Sequence, residues 1–211
     1  VTIRVPLQVK QLDWHDHTPA WAVSGTPADC VKMARSVLLR EQPDLIVSGI
    51  NRGSNEGRNI LYSGTVGGVI EGVMRNVPGI ACSVCDYSSP DFSQTQRWIQ
   101  AIVSDVLENP LPQGSILNVN FPKLTPDGYR GIKLTRQGKR HWGEEPVIRK
   151  HPSEDNDYYW LGARLTTFDE HQDCDVEWLE KGYITAVPVH VQELTDHLHI
   201  QQHKDRFESL G

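Results

Sequence analysis

Short apolar runs alternate along the chain with stretches in which apolar residues recur every three or four positions. Residues 45–48, 80–84 and 116–119 are compact, β-branched-rich runs of the kind that form buried strands. Between them, Val66, Val69, Ile70 and Val73 share one helical face over about residues 65–75. Trp98, Ile102 and Val106 do the same over 93–107. Upstream, residues 2–9 alternate as T-I-R-V-P-L-Q-V, which predicts a strand exposed enough to tolerate Pro6, and residues 21–23 predict a second. Thr26 then suits an N-cap and Pro27 the first helical position. Val31, Ala34, Val37 and Leu38 carry that helix to about Arg40, before Pro43-Asp44 ends it. Strands alternating with helices of this length predict an α/β fold: a Rossmann-like parallel or mixed sheet with helices on both faces.

After Pro122 the pattern changes. Residues 131–135, 158–161 and 183–187 read as strands separated by long polar segments, hence antiparallel ribbons with a protruding β-hairpin. The charged, Pro-containing stretch 137–157 reads as flexible or as an oligomer contact. The tail, 194–211, is polar and weakly helical. The organisation expected is a Rossmann-like α/β core over 1–122, followed over 123–211 by a hairpin extension, a returning strand and a C-terminal arm.

The segment with the most chemistry is 48–65, S-G-I-N-R-G-S-N-E-G-R-N-I-L-Y-S-G-T, with four glycines, three asparagines and three serines. It follows a strand and leads into a helix, and in parallel sheets ligands sit outside the carboxyl ends of the strands. Loops this long inside a compact domain are uncommon unless functional. Ser63, Gly64 and Thr65 open the helix, where N–H groups and hydroxyls suit an anion, above all phosphate. Asn55 joins them as a phosphate-binding candidate. Asn51, directly after the strand, offers a hard carbonyl oxygen for Mg²⁺ or Mn²⁺. Neither a Walker loop nor a G-x-G-x-x-G fingerprint is present.

Other candidates are weaker. The loop contains one carboxylate, Glu56, and Asp29, Asp44 and Glu71 are isolated, so carboxylates to hold a cation are short and no catalytic residue is assigned. His15-Asp16-His17 has metal-ligand spacing but reads as a polar hairpin tip, and His197, His199 and His203 as solvated. Arg136, Lys139, Arg140 and His141 would meet a substrate phosphate or form a solvated ribbon. Cys82 and Cys85 have redox spacing within a buried strand pattern. With Cys30 and Cys174 they read as reduced thiols of a cytoplasmic protein. The chain has 211 residues, a net charge of −6 and 38% apolar residues, with a mean hydropathy of −0.45. The negative balance argues against a nucleic-acid polymer as partner. No run approaches the roughly 18 apolar residues of a membrane helix.

The motifs are collinear with a known family. S-G-T-P-A-D-C-V from Ser24, P-D-L-I-V-S-G-I-N-R-G-S-N from Pro43, Y-S-G-T-V from Tyr62, I-L-N-V-N-F-P from Ile116 and T-R-Q-G from Thr135 resemble the survival protein E (SurE) family. So do Y-W-L-G from Tyr159 and the segment from Asp175 through Gly182-Tyr183 to Pro188. The resemblance implies a divalent-metal-dependent phosphatase acting on nucleoside 5′- and 3′-monophosphates, in some members also on short polyphosphate. It implies dimers or tetramers that exchange C-terminal arms. Of the family's metal ligands, the Asn of Ser-Gly-Ile-Asn falls on Asn51; its phosphate loop falls on Asn55 and on 63–65. Its Asp-Asp pair and metal-binding Ser belong to an opening βαβ-type unit of about 30 or more residues that would precede Val1. Cys174 stands where the family usually has Thr. The same residues would serve the alternative, a non-catalytic phosphate- or nucleotide-binding protein or an inactive truncated relative.

Overall fold

The computed structural model of the protein describes residues 1–162, 164–170 and 173–210. Strands β1 (Val9–Leu12) and β2 (Ala20–Val23) form an antiparallel hairpin whose tip is the His15–His17 turn. The strand expected over 2–9 therefore begins only at Val9. Residues 1–8 are held mainly by side chains, with one backbone bond from Ser24 N–H to the Gln8 carbonyl (3.0 Å). The Asp29 carboxylate accepts Thr2 N–H (2.9 Å) and Thr2 Oγ–H (2.8 Å), and Ser24 Oγ accepts Gln8 N–H (2.9 Å). Pro6 has no N–H to give a ladder.

Thr26 caps helix α1 (Pro27–Met33) as expected, in a reciprocal box with Asp29. The helix is shorter than the pattern predicts, because the chain turns through a wider π-type turn at Ala34–Leu38. Next come β3 (Ile46–Arg52), α2 (Gly64–Val73), β4 (Gly79–Val84), α3 (Thr95–Glu108) and β5 (Ser115–Phe121). Then follow β6 (Ile132–Leu134), β7 (His141–Gly143), β8 (Val147–Lys150), β9 (Asp157–Trp160) and β10 (Arg164–Thr166). The chain closes with α4 (Asp175–Glu180), β11 (Ile184–His190) and α5 (His197–Glu208). Gly211 of the expected tail lies outside the described residues.

The central sheet has the order β3-β4-β5-β11-β6, with only the β5–β11 pair antiparallel. The 137–157 stretch, read as flexible or as an oligomer contact, contains two strands, so the flexible reading is replaced. β8 and β9 pair as an exposed hairpin, and β7 pairs with β10.

Alternation on β4 and β5 sorts side chains between the two helical layers. Ile80, Cys82 and Val84 face the same core as Leu117, Val119, Phe121 and the α3 residues Ile102 and Val106. Ala81 and Ile116 face Val66, Val69 and Val73 of α2. Burying each of these α2 valines contributes about 1.5–3 kcal/mol. By the same alternation Ser83, Asn118 and Asn120 point to the α2 side, further along the strands. That layer turns from apolar to polar toward the carboxyl ends.

β3 reaches this polar patch by an irregularity. Ser48 pairs with Ala81, but Asn51 pairs with Ser83, so one extra residue is inserted on β3. Ile46 packs toward α2, whereas Ile50 packs toward α3. Strict alternation would place Ile50 toward α2 and turn Asn51 away. The inserted residue reverses this and puts Asn51 beside Ser83. Gly49 makes it possible, with φ +118° and no room for a Cβ against the Cys82 carbonyl oxygen. Gly49→Ala is expected to cost about 2–3 kcal/mol in a urea melt. A loss below about 0.5 kcal/mol would show that the strand tolerates a Cβ there.

Candidate active site

The carboxyl ends of β3 to β5, the 53–63 loop and the start of α2 enclose a cleft of about 1160 Å³. Asn51, Asn55, Ser63, Gly64 and Thr65 all line it, so the fold brings the five sequence-predicted residues to one place. Ser63 is the N-cap of α2: its Oγ accepts Val66 N–H (3.1 Å), and among the described residues its own proton has no acceptor. Among the described residues the N–H groups of Gly64 and Thr65 have no acceptor. This is the unsatisfied first turn that any helix presents. The helix dipole adds partial positive charge at the same point.

Asn51 uses every hydrogen-bonding position of its amide. Its Oδ1 accepts Ser83 Oγ–H (2.7 Å) and Thr65 Oγ1–H (3.0 Å). Its Nδ2–H groups go to the carbonyls of Gly53 (2.9 Å) and Arg52 (3.2 Å). Asn55 is buried; its Nδ2–H donates to Ser83 Oγ (2.5 Å) and its backbone N–H to Asn120 Oδ1 (2.7 Å). Its backbone oxygen accepts from Asn118 Nδ2 (2.9 Å) and Gln137 Nε2 (3.2 Å).

The far wall is anchored by Asp175, which is fully buried. Its carboxylate accepts the N–H groups of Gly57 (2.9 Å), Gly138 (2.7 Å) and Val176 (2.8 Å), and Gln137 Nε2–H (2.9 Å). Burial raises its pKa, and the backbone donors oppose that rise. Glu56, the loop's one carboxylate, lines the cleft with its pKa raised by burial and partly pulled back by Arg140, 3.5 Å away. Arg140 is also bonded to Glu180. Of the basic cluster only Arg140 lines the cleft; Arg136 pairs with Glu170 instead (3.2 Å). Lys123, at the rim, pairs with Asp86 (3.2 Å). The hydrogen bonds of Ser88 and Ser89, with Lys123, hold the Asp86 carboxyl down to about 2. Arg52 lines the cleft exposed, with no ion pair among the described residues. The histidines of the β1–β2 turn and of α5 do not line it.

As to a divalent cation, the described residues fit only in part. Asn51 Oδ1 is a suitable oxygen, but both its acceptor positions hold hydroxyls. No group of three or more His, Cys, Asp or Glu side chains among the described residues would hold a metal ion. The four cysteines are free, and no described helix is long and apolar enough to cross a membrane.

Ser83, Asn118, Asn120, Gln137 and Asp175 were not singled out from the residues. The N-x-N spacing of Asn118 and Asn120 puts two amides on one face of an otherwise apolar strand, which is a readable signal. Nothing local marks Ser83 or Asp175.

Comparison with known proteins agrees with this architecture. The family model described as survival protein SurE matches residues 1–144. The chain is 49% identical over 211 residues to the 5′-nucleotidase SurE of Protochlamydia amoebophila, covering all of this chain and 81% of that protein. It is 36% identical over 208 residues to the 5′-nucleotidase SurE of Thermosipho africanus, covering 99% of this chain and 81% of that one. The crystal structure of SurE from Aquifex aeolicus superposes with a TM-score of 0.81 at 34% identity, over 98% of this chain and 82% of that one. A matching family model, relatives across the whole length and a shared fold lead to one conclusion: the chain belongs to the survival protein SurE family.

Proposed function

We propose that the protein is a phosphomonoester hydrolase that removes phosphate from nucleoside 5′- and 3′-monophosphates in a divalent-metal-dependent reaction. The observation that carries this reading is the start of α2 on the cleft. Ser63 Oγ–H and the N–H groups of Gly64 and Thr65 have no acceptor among the described residues, and the exposed Arg52 lines the same cleft. Such donors, fixed before substrate arrives, stabilise phosphoryl oxygens as charge builds on them. Thr65 Oγ1–H is spent on Asn51, so Thr65 serves the phosphate through its backbone. Asn55 acts as the strut that holds the loop against β4 and β5. Tyr62, Tyr87 and Trp142 line the same cleft with exposed rings, apolar faces that suit a nucleoside.

The metal is part of the proposal at the level of Mg²⁺ or Mn²⁺, with Asn51 Oδ1 as the oxygen this chain offers. The relatives named as 5′-nucleotidases support catalysis over mere nucleotide binding. Free thiols support a cytoplasmic setting. The exposed Ile148, Tyr159 and Trp160 of the β8–β9 hairpin, and α5 as the C-terminal arm, support self-association as a dimer or tetramer. The test is phosphate release from AMP and p-nitrophenyl phosphate by the full-length protein, with Mn²⁺ and with EDTA. Release in Mn²⁺ that EDTA abolishes is expected; AMP binding without release would replace the enzyme by a nucleotide-binding protein.

A further inference from the structure

Three residues of the polar patch lie in one row across neighbouring strands. Asn51 of β3 pairs with Ser83 of β4, and Ser83 pairs with Asn120 of β5. We propose that Ser83 is a positioning residue for this site. Its hydroxyl joins Asn51 to Asn55 and fixes the acceptor face of Asn51 on which Thr65 is held. The inference rests on the phosphatase reading above and deepens it.

Ser83 is fully buried, and a hydroxyl has one proton to give. Its lone pair receives Asn55 Nδ2–H at 2.5 Å, and its proton goes to Asn51 Oδ1 at 2.7 Å. That donation has a consequence for the amide of Asn51. With hydroxyls on one side and the carbonyls of Arg52 and Gly53 on the other, only one orientation satisfies all four contacts. A flipped amide would set its oxygen against two carbonyl oxygens. Thr65 Oγ1 shares the same acceptor, so the orientation of Asn51 reaches the first turn of α2.

Removing the Ser83 hydroxyl would leave the backbone of the loop in place. The main chain of Asn55 is separately held by Asn120 Oδ1 and Asn118 Nδ2. The loss would therefore fall on side-chain orientation, and the functional cost should exceed the structural one.

The test uses the full-length protein with Ser83→Ala, Thr65→Val and the double variant. Ser83→Ala is expected to lower kcat/KM for AMP at least about tenfold, the scale found when an outer partner of a site ligand is lost. Its thermal midpoint should fall no further than that of Ser115→Ala, which removes a hydroxyl at the opposite end of β5. The two site changes should combine to less than the product of their separate effects, because both act through Asn51 Oδ1. A fully multiplicative pair, or a Ser83→Ala enzyme within about twofold of wild type, would overturn the proposal. Wild type without turnover would instead overturn the phosphatase reading. In that case solvent exchange of the Asn51 side-chain amide protons, followed in ¹H–¹⁵N spectra, still decides the role of Ser83. Exchange at least about tenfold faster in Ser83→Ala supports it, in line with loss of a buried hydrogen bond, and unchanged exchange overturns it.

Discussion

Asp175→Ala should lower stability by about 3–5 kcal/mol, the range for breaking a buried, hydrogen-bonded charge site from one side. The carboxylate is fully buried and gathers donors from two segments remote in sequence, Gly57 and Gln137 with Gly138, and from the adjacent Val176. Alanine would strand three backbone N–H groups where water has little access, whereas Gln137 Nε2–H keeps the carbonyls of Asn55 and Gly57 as acceptors. Each unsatisfied buried donor costs about 1–3 kcal/mol. The sum is reduced because removing the charge also relieves its own desolvation, which keeps the whole in the lower part of the range for three such penalties. Asp175→Asn should lie between wild type and alanine: it keeps one acceptor oxygen but turns an N–H group toward backbone N–H donors. Activity should fall with stability, since Gln137 and the Gly57 amide hold the loop that carries Asn55. Urea melts at pH 7 are the measurement, and a change below 1 kcal/mol for the alanine variant would show that the segments hold together without Asp175.

The part played by Asp175 also marks where reading from the chain alone stopped. The alternation of strands and helices, the cap at Thr26 and the convergence of Asn51, Asn55 and 63–65 on one cleft follow from local patterns. Each depends on residues within a few positions of one another. The hydroxyl and amide partners that Asn51 and Asn55 find on β4 and β5 do not. Ser83 lies 32 residues from Asn51 and Asp175 lies 118 from Gly57; the first meeting is set by strand register and the second joins the start of α4 to the loop. The extra residue at Gly49 has the same character. Reading β3 as ending at Ser48 left Asn51 in a loop, whereas the strand continues through Arg52 and the insertion chooses which face Asn51 shows. Residues 2–9 mislead for the opposite reason. Their alternation is real, but apart from the one backbone bond of Gln8 to Ser24 the segment is tied down by the Asp29 and Ser24 side chains rather than by a strand ladder. In 137–157, charge and proline mask two short strands, one half-buried at both ends and the other exposed throughout, whose apolar residues give little periodic signal.

Asn51→Ala is expected to reduce kcat/KM for AMP by at least about tenfold and more plainly than any other change in the cleft, on the scale of losing a metal-site partner or an anion-stabilising group. Two effects add in that variant. The hydroxyls of Ser83 and Thr65 lose their common acceptor, so the first turn of α2 is no longer tied to β3. The oxygen proposed for the divalent ion is also removed. Asn51→Asp separates the two. It keeps acceptors for both hydroxyls but gives up the donors to the carbonyls of Arg52 and Gly53. If Asn51 Oδ1 belongs to a cation site, the aspartate should retain much of the activity and require less Mn²⁺ for half-maximal rate. The alanine variant should require more. If Asn51 only braces Thr65, the half-maximal Mn²⁺ concentration should stay the same in both variants while kcat falls. Turnover that matches wild type across the whole Mn²⁺ titration in Asn51→Ala would remove Asn51 from the site altogether. The phosphate-binding role of Ser63, Gly64 and Thr65 would then stand on the donors of α2 alone.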